Sequence, residues 1–278
     1  MTYKIIVDSC CDLSTEHREE MHVTTIPLTL MMGEDSFVDD DTLDLPEFMH
    51  RMKHYPGKIG SAAPSPSLYQ DAFQGAHTSY AITLSSNLSS SYSSAMMGKA
   101  MAEDESPESD IHVFDSKSAS AGQVLLALKL HKLLEAKVQK SEIISKIESF
   151  IREMKTYFVL DNLDNLVKNG RLSKIKGKLI SVLHIKPIMG SDGDGNIVLY
   201  GNARGEKQVI NKLADTIEHS GRDTEGQSVV ITHCNNPTLA EKLVQVIKGR
   251  YRFKEIIVLP TRGLSSLYAN DKGIIMAF

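Results

Sequence analysis

Tyr80-Ala81-Ile82-Thr83-Leu84-Ser85-Ser86-Asn87-Leu88-Ser89-Ser90-Ser91-Tyr92-Ser93-Ser94 is the stretch that decides the class of fold. Its first five residues are short, apolar and stopped by a polar turn, the mark of a buried strand over 80–84. Residues 93–102 then continue as a helix. The same texture recurs on both sides. Residues 3–7 and 111–114 read as strands, and a long helix runs from about Ala121 through Ala136. Short apolar strands alternating with helices predict an α/β fold with a parallel sheet.

Further out, residues 22–30 (HVTTIPLTL) read as one strand, with Pro27 marking an edge or a bulge. Helices are expected over 45–55, 67–76 and 141–155. Past residue 155 the texture changes. A strand at 157–160 precedes helices at 164–168 and 175–184. A hairpin follows, turning through Gly190-Ser191-Asp192-Gly193-Asp194-Gly195-Asn196 into a strand at 197–200. Helices at 207–219 and 237–248 and strands at 228–233, 255–259 and 274–278 complete the chain. The expected architecture is two α/β domains divided near residue 157. Residues 1–157 form a mainly parallel α/β domain, residues 158–278 a mixed-sheet α/β domain, and a ligand cleft lies between them.

A chain of 278 residues is long enough for two such units. No apolar run approaches the roughly 20 residues needed to span a bilayer, so no membrane insertion is expected. The opening Met1-Thr2-Tyr3-Lys4-Ile5-Ile6-Val7-Asp8 lacks the long apolar stretch of a secretory signal. A net charge of −4 argues against a nucleic-acid partner, which favours a basic excess. Of three cysteines, Cys10 and Cys11 are adjacent and cannot close a useful loop. The odd count suits a reducing compartment, and a cytoplasmic location is expected.

Three strands of the first half end in hydroxyl-bearing turns: Val7-Asp8-Ser9, Leu84-Ser85-Ser86 and Phe114-Asp115-Ser116. Parallel strands deliver their carboxyl ends to one edge, and ligands bind in the crevice outside it. Helix N-termini beginning there favour a bound anion. The serine run is also readable as a linker or as helix caps alone. The loop Gly60-Ser61-Ala62-Ala63-Pro64-Ser65-Pro66 reads as a connection stiffened by two prolines, whose small residues let a head group approach the backbone and Ser61.

The chain resembles the DegV family of bacterial fatty-acid-binding proteins over its whole length. The matching segments are Asp8-Ser9-Cys10-Cys11-Asp12-Leu13, Ile26-Pro27-Leu28-Thr29, Ser61-Ala62-Ala63-Pro64-Ser65-Pro66, the stretch from Leu84 to Tyr92 and Phe114-Asp115-Ser116-Lys117-Ser118. In the second half they are Asn169-Gly170-Arg171-Leu172-Ser173-Lys174, Ile185-Lys186-Pro187-Ile188 and Ala203-Arg204. Their order and spacing make the match specific. The resemblance implies a long-chain fatty acid between the domains, its carboxylate on Ser61, where threonine is usual, and on Ser89. It also implies that some members present the fatty acid to a separate kinase subunit, which phosphorylates the carboxylate with ATP. Arg171 and Arg204 are then expected at the cleft, where an arginine fork suits a carboxylate or an acyl phosphate. The family's late histidine falls on Tyr268. Tyrosine donates a hydrogen bond but carries no proton charge near neutrality, which suits binding better than proton transfer.

Other constellations are thinner. His50 and His54 have the i, i+4 spacing of zinc ligands without the glutamate or a third ligand. Asp192-Gly193-Asp194-Gly195-Asn196 alternates like a calcium loop but lacks its closing glutamate, and a hairpin turn explains it. No Gly-x-Ser-x-Gly elbow and no phosphate loop of the Gly-Lys-Ser/Thr type is present. No cofactor and no catalytic residue is expected. A non-enzymatic fatty-acid carrier therefore leads. A small-molecule phosphotransfer or hydrolase-like enzyme using the same crevice is the alternative, and a purely structural protein is the third.

Overall fold

The computed structural model describes residues 3–172 and 185–278. The chain begins with β1 (Tyr3–Asp8), α1 (Thr15–Glu20), β2 (Val23–Ile26), β3 (Thr29–Met32), β4 (Asp35–Val38), α2 (Leu45–His54), β5 (Ile59–Ala62) and α3 (Pro66–Phe73). It continues through β6 (Thr78–Thr83), α4 (Ser91–Glu105), β7 (Asp110–Asp115), α5 (Ala121–Glu135) and α6 (Lys140–Glu153). Then come β8 (Thr156–Val159), α7 (Asp164–Lys168), β9 (Ile185–Ser191), β10 (Ile197–Arg204) and α8 (Gly205–His219). The last elements are β11 (Ser228–His233), α9 (Pro237–Arg250), β12 (Glu255–Pro260), α10 (Gly263–Ala269) and β13 (Ile274–Ala277). The helix expected over 175–184 lies outside the described residues.

The parallel sheet has the order β2-β1-β6-β7, and a six-stranded mixed sheet runs β10-β9-β8-β13-β11-β12. In the mixed sheet only β11 and β12 run parallel; the other neighbours are antiparallel. Helix α5 lies between the two sheets, against β1 and β6 on one side and β11 and β13 on the other. Its buried face, Val124, Leu126 and Leu130, joins Ile5, Tyr80 and Ile82 to Phe158, Val230 and Ile275 in one hydrophobic core. Residues Ala121 to Ala127 of that helix are all buried, so it needs cover on more than one side, and the two sheets supply it.

Two expectations are corrected. Residues 22–30 are two strands in two sheets, because Pro27 has no N–H to continue the ladder. The chain leaves β2 there, and β3 joins a third sheet of order β4-β3-β5. The 60–66 loop is in its first half the strand β5, with Ser61 opposite Leu30. The prolines after it end the strand and start α3. Short α1, β4 and α10 carry too little periodicity to be foreseen. The hairpin is as expected. Asp192 Oδ1 accepts from the backbone N–H groups of Asp194 (2.9 Å) and Asn196 (3.0 Å), and Gly193 and Gly195 take the left-handed conformations of the turn.

Candidate functional site

The expected common edge is present, because β1, β6 and β7 run parallel in register. The acid at its centre does not face a ligand. Asp8 is fully buried, and its Oδ2 accepts from Leu84 N–H and from Ser91 Oγ, each at 2.7 Å. Its Oδ1 accepts from Gln123 Nε2 (2.9 Å) and Cys10 N–H (3.2 Å). Burial pushes this carboxyl up, and the four donors pull it partly back. Asp8 thus ties the serine loop and the starts of α4 and α5 to β1. Ser85 is also structural, its hydroxyl donating to the Gly195 carbonyl at 2.9 Å and docking the β9–β10 turn on the loop. Ser89 lines the cavity beside it, its Oγ accepting from Ser91 N–H at 3.2 Å.

That cavity encloses about 870 Å³ when the open solvent at its mouth is included. Leu28, Leu84 and Leu88 form one wall, and Phe158, Leu160 and Ile275 another. Strand alternation produces the second wall. Thr156 and Phe158 face the cavity, while Tyr157 and Val159 pack into the core against α8. The lining is largely apolar, so an alkyl chain suits it.

Part of this lining is polar. Ser61 on β5 is hydrogen-bonded to the Tyr268 hydroxyl on α10 at 3.0 Å. The Arg171 guanidinium lies 5.7 Å from the centre of the Tyr268 ring. Its Nε donates to the Leu88 carbonyl at 3.1 Å, next to Ser89. Ser61, Ser89, Arg171 and Tyr268 therefore meet on one cavity. Arg204 does not join them, which corrects its expected place at the cleft. It pairs with Ile185 at one end of the hairpin, whereas Gly190, Ser191 and Ile197 at the other end line the cavity. Seven residues of strand from Ile197 put it roughly 20 Å away. Arg204 is exposed there and precedes α8.

Sequence reading missed what holds α10, the helix of Tyr268. Buried Asp12 accepts from Arg262 N–H at 2.7 Å and from the Ser120 hydroxyl. Asp39 accepts from Leu264 N–H at 2.9 Å. Both satisfy free N–H groups at the start of α10, and Asn165 Nδ2 reaches the Leu267 carbonyl near its end at 2.8 Å. Burial raises Asp12 to about 7 and Asp39 in the same direction. Asp12 sits in the Asp8-Ser9-Cys10-Cys11-Asp12 segment, which was the available signal, but its partner lies 250 residues away. His50 and His54 stand on the exposed face of α2, ring centres 4.7 Å apart. Among the described residues no helix is long and apolar enough to cross a membrane.

Comparison with known proteins follows the same lines. Residues 2–274 match the DegV family. A DegV domain-containing protein of Streptococcus pyogenes serotype M1 is 36% identical over 280 residues, covering 100% of this chain and 99% of that protein. A solved DegV-family structure from Ruminococcus gnavus, with vaccenic acid, superposes with a TM-score of 0.96 at 37% identity, covering 99% of each chain. The Streptococcus pneumoniae Fatty Acid Kinase (Fak) B3 protein loaded with linoleic acid gives 0.92 at 33% identity, covering 100% of this chain and 99% of that one. A DegV-family protein from Eubacterium eligens loaded with heptadecanoic acid gives 0.92 at 28%, covering 99% of each.

Proposed function

The chain belongs to the DegV family, and from that premise we propose that it binds a long-chain fatty acid in the cavity between its parallel and mixed sheets. The carboxylate sits on Ser61 and Ser89, with Arg171 and Tyr268 beside them. Residues 1–157 supply the serine loops, and residues 158–278 cover the acyl chain. The protein works as a binding subunit in the cytoplasm. It presents the head group to a separate kinase subunit and carries out no transfer itself.

One geometric fact supports this above the rest: a hydroxyl pair and a guanidinium converge on a cavity whose exposed lining surface is largely apolar, with Leu28, Leu84, Leu88, Phe158, Leu160 and Ile275 on its walls. A sixteen-carbon tail buries about 15 methylenes at ~0.8 kcal/mol each, a gross gain on the order of 12 kcal/mol. Lost freedom and ordering remove several kcal/mol, leaving roughly micromolar to nanomolar affinity. An unpaired carboxylate in that cavity would cost heavily, so the donors belong at the head-group end. Full-length neighbours with bound fatty acids, one of them a Fak B3 protein, point the same way.

Native mass spectrometry of the protein purified from bacteria tests the reading. A co-purified mass of one fatty acid per chain is expected. Protein that carries none and takes up neither oleate nor palmitate overturns it. Incubation with ATP and fatty acid, without a kinase subunit, should yield no acyl phosphate.

A further inference from the structure

We propose that Asn169 is the positioning residue of the head-group site: it fastens the strand carrying Ser61 to the segment carrying Arg171, so that both meet one carboxylate. This rests on the fatty-acid reading above and deepens it. Asn169 is not part of the cavity lining; it closes α7 at its C-terminal end. Its Nδ2 donates to the Ile59 carbonyl at 2.7 Å, two residues before Ser61 on β5, and to the Asn165 carbonyl at 2.8 Å. Both amide hydrogens are used, which fixes the side chain in one orientation. The Asn169 backbone carbonyl accepts from Arg171 Nη1 at 2.7 Å. Gly170 between them has φ +77°, the left-handed turn that folds the arginine back.

The guanidinium, held from behind by Asn169, is held in front by the Leu88 carbonyl at 3.1 Å. A free arginine loses rotamer entropy when fixed, and here that loss is met before a ligand arrives. The strand side is built to match. A Cβ on Gly60 would stand 3.0 Å from Asn169 Oδ1. Glycine is what lets β5 approach an amide that its own hydrogen bonds keep from moving aside.

The test is calorimetric titration with oleate, alongside thermal melting, on the full chain. Asn169→Ala should weaken oleate binding roughly tenfold. In the wild-type background, Ser61→Ala and Arg171→Ala should be non-additive, as residues sharing one carboxylate are. In the Asn169→Ala background their effects should become additive. A residue that only stabilised the fold would lower Tm and leave that coupling intact. Gly60→Ala pushes on the same amide from the other side, so it should weaken binding and reduce the coupling too; it serves if Asn169→Ala fails to fold. Wild-type protein that binds oleate, with Ser61–Arg171 coupling surviving in the Asn169→Ala or Gly60→Ala protein, overturns the inference alone. Wild-type protein that binds no fatty acid overturns the functional reading, and the inference with it.

Discussion

The Tyr268 hydroxyl stands 3.0 Å from Ser61 Oγ, although 207 positions separate the two residues in the chain. In the proposed site a bound carboxylate would meet this pair as one unit. Either hydroxyl can donate within the pair, which leaves the other proton for the ligand.

Replacing Ser61 and Ser89 together by alanine should therefore weaken binding of oleate by about 1.5–3 kcal/mol for each hydrogen bond lost to the charged group. Both side chains are small and neither is in a core cluster, so Tm should shift little. Titration of the double variant with oleate decides it, and unchanged affinity would remove both serines from the head-group site.

The two arginines should separate. Arg171 braces Tyr268 and the Leu88 carbonyl, so Arg171→Ala should lower affinity for the fatty acid and phosphorylation together. Arg204 is exposed and off the cavity, so Arg204→Ala should leave affinity unchanged. Its expected effect is a sharp loss of phosphorylation when a cognate kinase subunit and ATP are supplied, as for a charge that meets a partner surface. Equal losses in both assays for Arg204→Ala would show it to be a carboxylate ligand instead.

Asp12 should leave a signature in the pH dependence of stability. Burial holds its carboxyl at about 7, against an ordinary value of 3.8. Between those values the folded protein binds a proton that the unfolded chain has released, so this contribution falls as pH rises through that window. The slope approaches at most about 1.4 kcal/mol per pH unit. Asp41 works the other way. Arg18 and Arg262 hold it down to about 2, so its contribution is intact above its ordinary value and is lost in stronger acid. Urea unfolding at pH 4.5 and 7.5 should show wild type losing stability relative to Asp12→Asn at the higher pH. Parallel curves for the two proteins would rule out a titrating Asp12.

Gly98 sits where α4 crosses α3. A Cβ there would meet the Pro66 carbonyl at 2.5 Å and Tyr69 Cβ at 2.7 Å. Alanine normally gains about 0.5–1 kcal/mol over glycine within a helix. Overpacking against backbone costs about 1–3 kcal/mol, so the clash should win. Gly98→Ala should lower Tm while oleate affinity is kept, since α3 and α4 do not line the cavity. A raised Tm would show that the crossing can spread.

What the sequence makes legible is local. The β6–α4 unit showed in its apolar run and serines. The β9–β10 turn showed because its hydrogen bonds form among Asp192, Asp194 and Asn196 themselves. Ser61, Ser89, Arg171 and Tyr268 could be named from short segments, through a resemblance that keeps their order. Strand β5 could not be separated from a loop, because four residues of Ile-Gly-Ser-Ala become a strand only when β3 is beside them. The position of Arg204 is hidden from the sequence for a related reason. Its distance from the cavity follows from the pairing register of a hairpin, which no short motif carries.

The sequence by itself therefore determined the alternation of strands and helices, the hairpin turn and the residue types available to a head group, since each depends on neighbours a few positions away. Only the tertiary structure decided which of them converge. Asp12 holds Arg262, Asn169 holds Ile59, and Tyr268 meets Ser61 because α10, α7 and β5 pack together across some 100 to 250 positions. Those contacts depend on the packing of both sheets against α5, which excludes water. Burial there favours polar groups that find partners, however distant in the chain.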